Sequence, residues 1–430
     1  MILVFLGLIG VVTCLLLLPV AQEPGRSTPF RIALFSAADA VTGGLPVVDT
    51  ATHWSRFGQV VILVGIQIGG LGFMTSAALL GLLVSRRLGL RTRLLAATET
   101  RAVSLGDVRL VARNVGIVAL VVEVVLALGL WPWLMVEYDE PAGLAAYDAV
   151  FLSISTFNNA GLTPYPDNLV RFASDPLVLV PMGVSAIIGG LGLPVLMELR
   201  AGLFKPRLWS VHTKMTLLGF VLITFLGGAA LALFEWRNSA TIGPLSAGAS
   251  LLNGFFGTVA ARTGFNTFDY GAADPTTLLT TNILMFIGGG SASTAGGIKV
   301  TTFLLLFFAI AAEVRGEDRV NALGREMSPS LLRQALTVAL VGVAVVIAGT
   351  MCLLASSPVD FEPALFEVVS AFGAVGLTTG ITAGLPAFPQ YVLIVLMIVG
   401  RLGPITLSSA LALRERNRLY RLPEERPIVG

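Results

Sequence analysis

The residues whose types and spacing could do chemistry in this chain are glycines. Four short, half-apolar stretches each end in Gly followed by Leu or Phe: Gly44-Leu45, Gly161-Leu162, Gly264-Phe265 and Gly376-Leu377, separated by 117, 103 and 112 residues. A second mark follows each of them: Gly69-Gly70-Leu71-Gly72, Gly189-Gly190-Leu191-Gly192, Gly288-Gly289-Gly290 and Gly400-Arg401-Leu402-Gly403. The distances from the first glycine to the second position of its mark are 26, 29, 25 and 25 residues. Two landmarks in register four times make an internal repeat. A glycine at the end of a half-helix lets the chain turn its carbonyls toward an axis with no Cβ in the way. Four such loops would build rings of carbonyl oxygens, which replace the hydration shell of an alkali cation. The half-helices would aim their partly negative C-terminal ends at the same cavity. The second set of glycines also reads simply as small residues that let helices pack closely.

Other chemistry finds little support. His53 and His212 stand alone, and Cys14 and Cys352 lie inside apolar runs. That leaves no His-rich metal site, no disulfide framework and no paired nucleophile and base for an enzyme. The glycine-rich stretch ending at Gly297-Ile298-Lys299 is not a phosphate loop, because it lacks GK[ST] and no strand precedes it.

The elements that must position the glycines are apolar helices. Of 430 residues, 55% are hydrophobic and 13% charged, against about 45–50% and about 25% in soluble chains. Mean hydropathy is +0.84, the value of an integral membrane protein. Eight runs are long enough to cross an apolar core: 2–21, 57–84, 114–136, 176–199, 214–234, 278–312, 334–355 and 388–413. The first is expected to be a retained helix rather than a signal peptide. Between them lie stretches of about 28–42, 144–159, 246–261 and 361–375, too short to span and read as re-entrant half-helices. The expected units are 1–86, 107–204, 211–316 and 331–418, followed by a tail at 419–430.

Charge orients the units. The loops after spans two, four and six and the tail hold 20 of the 28 cations, among them Arg91, Arg101, Lys205, Arg207, Arg315, Arg319, Arg414 and Arg426. By the positive-inside rule this face is cytoplasmic, with both termini inside. The opposite face carries six cations against 15 acids, including Asp49, Asp139, Asp148, Asp167, Asp269, Asp274 and Asp360. That excess reads either as an anionic mouth that concentrates cations or as acids merely tolerated outside. The formal net charge of +2 argues for no nucleic-acid partner.

Phe157-Asn158-Asn159-Ala160-Gly161, Arg262-Thr263-Gly264-Phe265-Asn266-Thr267, Phe372-Gly373-Ala374-Val375-Gly376-Leu377-Thr378 and Gly289-Gly290-Ser291-Ala292-Ser293-Thr294-Ala295-Gly296-Gly297-Ile298-Lys299 resemble the Trk/Ktr/HKT superfamily of potassium transporters. The resemblance covers nearly the whole chain, and its length looks like the Ktr-type pore subunits rather than the longer TrkH type. It implies an all-α integral membrane fold of four M1–P–M2 repeats, each a helix, a re-entrant pore helix with its loop, and a second helix, around one central pore, as in potassium channels. It implies a selectivity filter at Thr42, Gly43, Gly44, Asn159, Ala160, Gly161, Thr263, Gly264, Val375 and Gly376, with K+ on the filter carbonyls, Na+ as a second candidate ion and no covalent cofactor. It further implies a homodimer in membrane lipid that docks a cytoplasmic, KtrA-like nucleotide-binding ring. Two departures stand in the sequence: Gly43 occupies the place where the family usually has Thr, and no Ala separates Thr263 from Gly264.

The gate candidates are Gly288, Gly289, Gly290, Ser291, Ala292, Ser293, Thr294, Ala295, Gly296, Gly297, Lys299 and Arg401. The glycine-rich interruption of span six reads as a broken helix lining a cavity, and the resemblance makes it an intramembrane loop closing the pore. Arg401 sits mid-span, where a charge costs at least about 2.5–3.5 kcal/mol and calls for a cavity or a partner. Glu123 in the third span is the candidate partner; the same acid also reads as simply packed. The expected function is K+ uptake across the inner or plasma membrane, passive or Na+-influenced. The alternative is an alternating-access secondary cation transporter coupled to Na+ or H+, which would use paired inverted repeats where these four units share one orientation.

Overall fold

The computed structural model describes residues 2–25, 27–87 and 108–413, the side chains of 81–87, 108–109 and 404–413 excepted. Arg26, the basic loop carrying Arg91, Arg93 and Arg101, and the tail from Arg414 through 419–430 lie outside the described residues, as do the side chains of Arg86, Arg87 and Arg109.

The chain forms four units of the same make-up. The first has α1 (Ile2–Leu16), α2 (Phe30–Thr42), the single turn α3 (Thr50–His53) and α4 (Arg56–Arg87). The second has α5 (Val108–Glu137), α6 (Ala142–Phe157), α7 (Pro176–Leu191) and α8 (Leu193–Gly202). The third has α9 (Val211–Glu235), α10 (Ala247–Thr263), α11 (Pro275–Phe286) and α12 (Val300–Val314), and the fourth α13 (Pro329–Ser356), α14 (Phe361–Gly373) and α15 (Ala387–Leu413). A two-residue hairpin, Asn321–Ala322 with Arg325–Glu326, punctuates the loop between the last two units. Caps set the starts: Asp175 accepts the Leu177 N–H, Asp274 the Thr276 N–H and Ser328 the Leu331 N–H, each just before a proline at the first helical position. Proline lacks an N–H where the helix has no acceptor for one.

Each short helix α2, α6, α10 and α14 lies against the long helices of its own unit, and neighbouring units touch in a closed circuit. α4 meets α5, α7 meets α10, α11 meets α14, and α15 returns to α2 and α4. The burial pattern is that of a protein solvated by lipid. Val125 and Leu128 of α5 are 66% and 59% exposed on the outside, while Ser153, Ser155, Thr156 and Asn158 of the α6 segment are buried inside. Polar groups at membrane depth need protein partners or a wet cavity. Among the described residues, Arg56–Leu80, Leu110–Glu137, Val211–Glu235 and Pro329–Ser356 are long and apolar enough to cross a membrane unaided.

The half-helices fall within two residues of the expected ends, but two expected spans differ. The run 176–199 is not one helix: α7 and α8 meet at 105°. Gly192 at the corner has φ 89° and ψ 153°, a backbone state open essentially to glycine alone, and Pro194 follows where an N–H is not needed. The run 278–312 is interrupted between α11 and α12, at the glycine-rich stretch where a break is expected. The run 2–21 is helical only to Leu16, with a 3-10 turn begun by Pro19.

The second set of glycines has a packing role in three units. A Cβ on Gly69 would overlap the Val41 carbonyl, one on Gly189 the Phe157 carbonyl, and one on Gly400 the Phe372 carbonyl. In each case the long helix closes on the last turn of its own half-helix.

Candidate functional site

The half-helices end because the backbone turns left-handed. Gly43 caps α2 at φ 64°, Gly264 caps α10 at φ 81° and Ala374 caps α14 at φ 49°. Behind α6 the left-handed residues are Asn159, at φ 53°, and Gly161, at φ 69°. In the first loop the left-handed residue is therefore Gly43, immediately before Gly44. Beyond each helix, buried Leu45, Leu162, Phe265 and Leu377 anchor the chain.

The four loops meet edge to edge. A Cβ placed on Gly43 would lie 2.9 Å from the Asn159 carbonyl and 3.5 Å from Ala160 Cα. One on Gly161 would overlap the Thr263 carbonyl and sit 2.8 Å from Gly264 Cα. One on Gly264 would overlap the Val375 carbonyl and sit 2.9 Å from Gly376 Cα. One on Gly376 would lie 2.7 Å from the Gly44 carbonyl, which closes the circle. All ten residues that the sequence singles out as filter positions are thus brought into one ring of loops, with no room for a side chain at the glycines. Side groups hold the ring from behind. Thr42 and Thr263 donate to the Ala38 and Val259 carbonyls, Ser155 donates to the Leu162 carbonyl at 2.7 Å, and Leu45 N–H meets Met397 Sδ at 3.1 Å. Asn168 donates to the Gly161 carbonyl at 3.2 Å and accepts from the Asn266 N–H at 3.3 Å, tying the second loop to the third.

The stretch Gly288–Gly297 forms a loop pinched at its neck, where Ile298 N–H donates to the Phe286 carbonyl at 3.1 Å and Val300 N–H to the Gly289 carbonyl at 3.0 Å. It is stitched to the corner of the second unit. Gly290 N–H donates to the Gly190 carbonyl at 2.8 Å, Thr294 N–H to the Gly189 carbonyl at 3.2 Å, and Leu193 N–H to the Ala292 carbonyl at 3.2 Å. Its far side approaches the fourth half-helix, where a Cβ on Gly296 would overlap the Gly373 carbonyl. Asn159 of the ring donates to Thr294 Oγ1, so ring and loop share a direct contact. Ser291 reaches Thr301 at 3.4 Å, and Ser293 accepts from the Ala295 N–H at 3.3 Å.

Two cations converge on this loop. Lys299 Nζ donates to the Ala295 carbonyl at 2.7 Å and lies 5.9 Å from the Phe73 ring centroid. Arg401, less than 2% exposed, holds its guanidinium 4.8 Å over the same ring. Its Nε and Nη1 have no hydrogen-bond partner among the described residues. The alternative pairing of Arg401 with Glu123 does not form. Glu123 accepts from Gln67 Nε2 at 2.9 Å and Asn158 Nδ2 at 3.4 Å, bracing α5 against α4 and the end of α6. Phe73 is a functional candidate that sequence reasoning missed, although it directly follows the glycine mark of the first unit. Arg262 is another: it lies buried, donates to the Thr258 carbonyl at 2.5 Å and stands 5.3 Å over Phe220.

The acid-rich face is less open than its composition implies. Asp49, Asp269 and Asp274 are helix caps, and Asp167 pairs with Arg171 at 2.8 Å. Asp39, Asp148 and Glu367 are buried in the half-helices. Around Asp148, Arg56 stands 3.9 Å from the carboxylate and 4.3 Å over Tyr147. Tyr165 donates to Glu140 at 3.1 Å, and burial, then the charges of Asp148 and Glu140, push its hydroxyl pKa up, so that it stays a neutral donor.

The family model described as TrkH, cation transport protein, matches residues 11–419. The Ktr system potassium uptake protein B of Bacillus subtilis is 36% identical over 97% of this chain and 93% of its own length. The protein of the same description from Vibrio alginolyticus is 35% identical over 99% of this chain and 93% of its own. Among solved structures, that of the potassium transporter TrkH from Vibrio parahaemolyticus superposes with a TM-score of 0.75 at 18% identity, covering 94% of this chain and 82% of that one. It shares the fold.

Proposed function

We propose that this chain, which belongs to the TrkH family of cation transport proteins, takes K+ across the cell membrane through the ring of loops at the centre of its four units. The observation that carries this reading is the closed contact of the loops: Gly43 on Asn159, Gly161 on Thr263, Gly264 on Val375 and Gly376 on Gly44. Backbone packed this tightly presents carbonyl oxygens, and a K+ ion exchanges its hydration shell for them at little cost in reorganisation. The buried C-terminal ends of α2, α6, α10 and α14 add partial negative charge behind the ring.

In this reading Gly288–Gly297, Lys299 and Arg401 are the gate. A fixed positive charge beside the pathway repels K+ strongly where the surroundings are apolar, and the loop is joined to the ring through Thr294 and Asn159. Units 1–86, 107–204, 211–316 and 331–418 with the tail 419–430, cytoplasmic termini, a homodimer and a soluble nucleotide-binding ring on the basic face complete the proposal. Their support is the likeness to Ktr system proteins together with the bias of Lys and Arg to one face. The test is ion flux into liposomes carrying the purified chain, with K+, Rb+, Na+ and Li+ compared. K+ and Rb+ entering well ahead of Na+ and Li+ is expected; equal entry of all four, or none in folded protein supplied with its partner, would refute it.

A further inference from the structure

Glu367 lies in the second turn of α14, fully buried, and pairs with no Lys or Arg among the described residues. A carboxylate in that position needs its oxygens filled by strong donors. It has four. Oε1 accepts from Thr378 Oγ1 at 2.7 Å, from the Thr379 N–H at 2.8 Å and from Thr379 Oγ1 at 2.9 Å; Oε2 accepts from Thr382 Oγ1 at 2.6 Å. Every donor belongs to the chain that leaves the ring just after Gly376. On the incoming side, Gly376 N–H donates to Ser370 Oγ at 3.2 Å, one turn of α14 further on. Gly376 itself closes the circle of loops against Gly44 and Gly264. One helix thus grips the fourth loop at both limbs, by a neutral hydroxyl before the glycine and by a charge behind it. In the second loop the carbonyls of Gly161 and Leu162 are held by neutral groups, Asn168 and Ser155, and a carboxylate, Glu140, is reached only further out, by Tyr165.

We propose that Glu367 is a positioning residue that latches the Thr378–Thr382 limb and thereby sets how well the ring prefers K+ to Na+. The inference rests on the reading of the ring as the ion pathway. Charge-assisted bonds are shorter and stronger than neutral ones, so the latch restrains the carbonyls of the fourth loop from closing on a smaller ion. A neutral amide in its place keeps the shape but turns two acceptor sites into donors, facing hydroxyls that must then reverse.

Glu235 supplies the control. It is equally buried and accepts from Thr241 Oγ1 at 2.5 Å, Asn238 Nδ2 at 2.8 Å and the Asp274 N–H at 2.8 Å, but none of these three partners is among the residues whose contacts close the ring. The experiment measures K+ and Na+ flux into liposomes, per folded protein, for the full-length wild type, Glu367→Gln, Thr378→Val and Glu235→Gln. Glu367→Gln is expected to lower the K+/Na+ ratio about fivefold or more, Thr378→Val by less, and Glu235→Gln not at all. Hydrogen exchange of the Thr379 and Gly380 amides, which does not depend on transport, should quicken about tenfold in Glu367→Gln. An unchanged ratio in folded Glu367→Gln, or an equal shift in Glu235→Gln, overturns the proposal; if Glu367→Gln does not fold, an unchanged ratio in Thr378→Val does so. Quickened exchange in a protein that never discriminates K+ from Na+ would leave the latch standing as a structural tie and refute both its role in selectivity and the reading of the ring.

Discussion

Replacing Gly264 by Ser tests the ring at a crowded point. Gly264 sits at φ 81° and ψ −2°, where any residue with a Cβ is disfavoured by about 1–2 kcal/mol. The new Cβ would overlap the Val375 carbonyl and stand 2.9 Å from Gly376 Cα. Ordinary contact between carbons begins near about 3.5 Å, so the fourth loop must retreat by roughly half an ångström or more. The carbonyls of two adjacent loops therefore leave the positions they hold around a bound ion. If distortion of about 1–2 kcal/mol falls on the K+ complex and not on the Na+ complex, the preference drops by a factor of about 5–30. The assay is the K+/Na+ flux ratio in proteoliposomes, normalised to folded protein. Gly248 in the first turn of the same helix is the comparison, because a Cβ there meets nothing within 4 Å. A Gly264→Ser ratio equal to wild type, or a Gly248→Ser ratio equally reduced, would rule out this role for Gly264.

Arg401→Ala and deletion of Ser291–Gly296 should both raise basal K+ flux per folded protein while leaving the K+/Na+ ratio mostly intact; unchanged or lower flux from both would eliminate the gate. Asn253→Leu should lower the thermal unfolding temperature in detergent, because the buried Ala173 carbonyl now receiving Asn253 Nδ2 at 2.6 Å would be orphaned at a cost of about 1–3 kcal/mol. An unfolding temperature equal to wild type would contradict that assignment. Gentle extraction followed by mass measurement should give twice the 45.1 kDa chain mass, with a soluble nucleotide-binding partner attached when it is co-expressed; monomers alone would count against the assembly.

Much of the architecture was legible because glycine at a half-helix end has few other uses. The four glycines marked by their spacing are the ones the structure packs against neighbouring loops, with Gly43 sharing the first position. What stayed hidden was direction. The bend at Gly192 lies inside an unbroken apolar run, and hydropathy carries no information on the backbone angle of one residue. Arg401 and Glu123 share an apolar environment, yet they sit in different walls, Arg401 on Phe73 and Glu123 on Gln67 and Asn158. Depth in the membrane is readable from position in a span, but contact is not. The acids of the outer face stayed ambiguous for a related reason: a count of charge cannot separate Asp274, which caps α11, from Glu367, which is buried behind the ring.

In the proposed pathway the four loops make one cation site on a shared axis. Anomalous diffraction from crystals of the full chain grown in Rb+ tests it most directly. A Rb+ peak bounded by the loops at Gly44, Gly161, Gly264 and Gly376 is expected, weakened less when Na+ replaces most of the Rb+ than when K+ does. Ordered Rb+ found elsewhere in the protein, with none inside the ring, would contradict it.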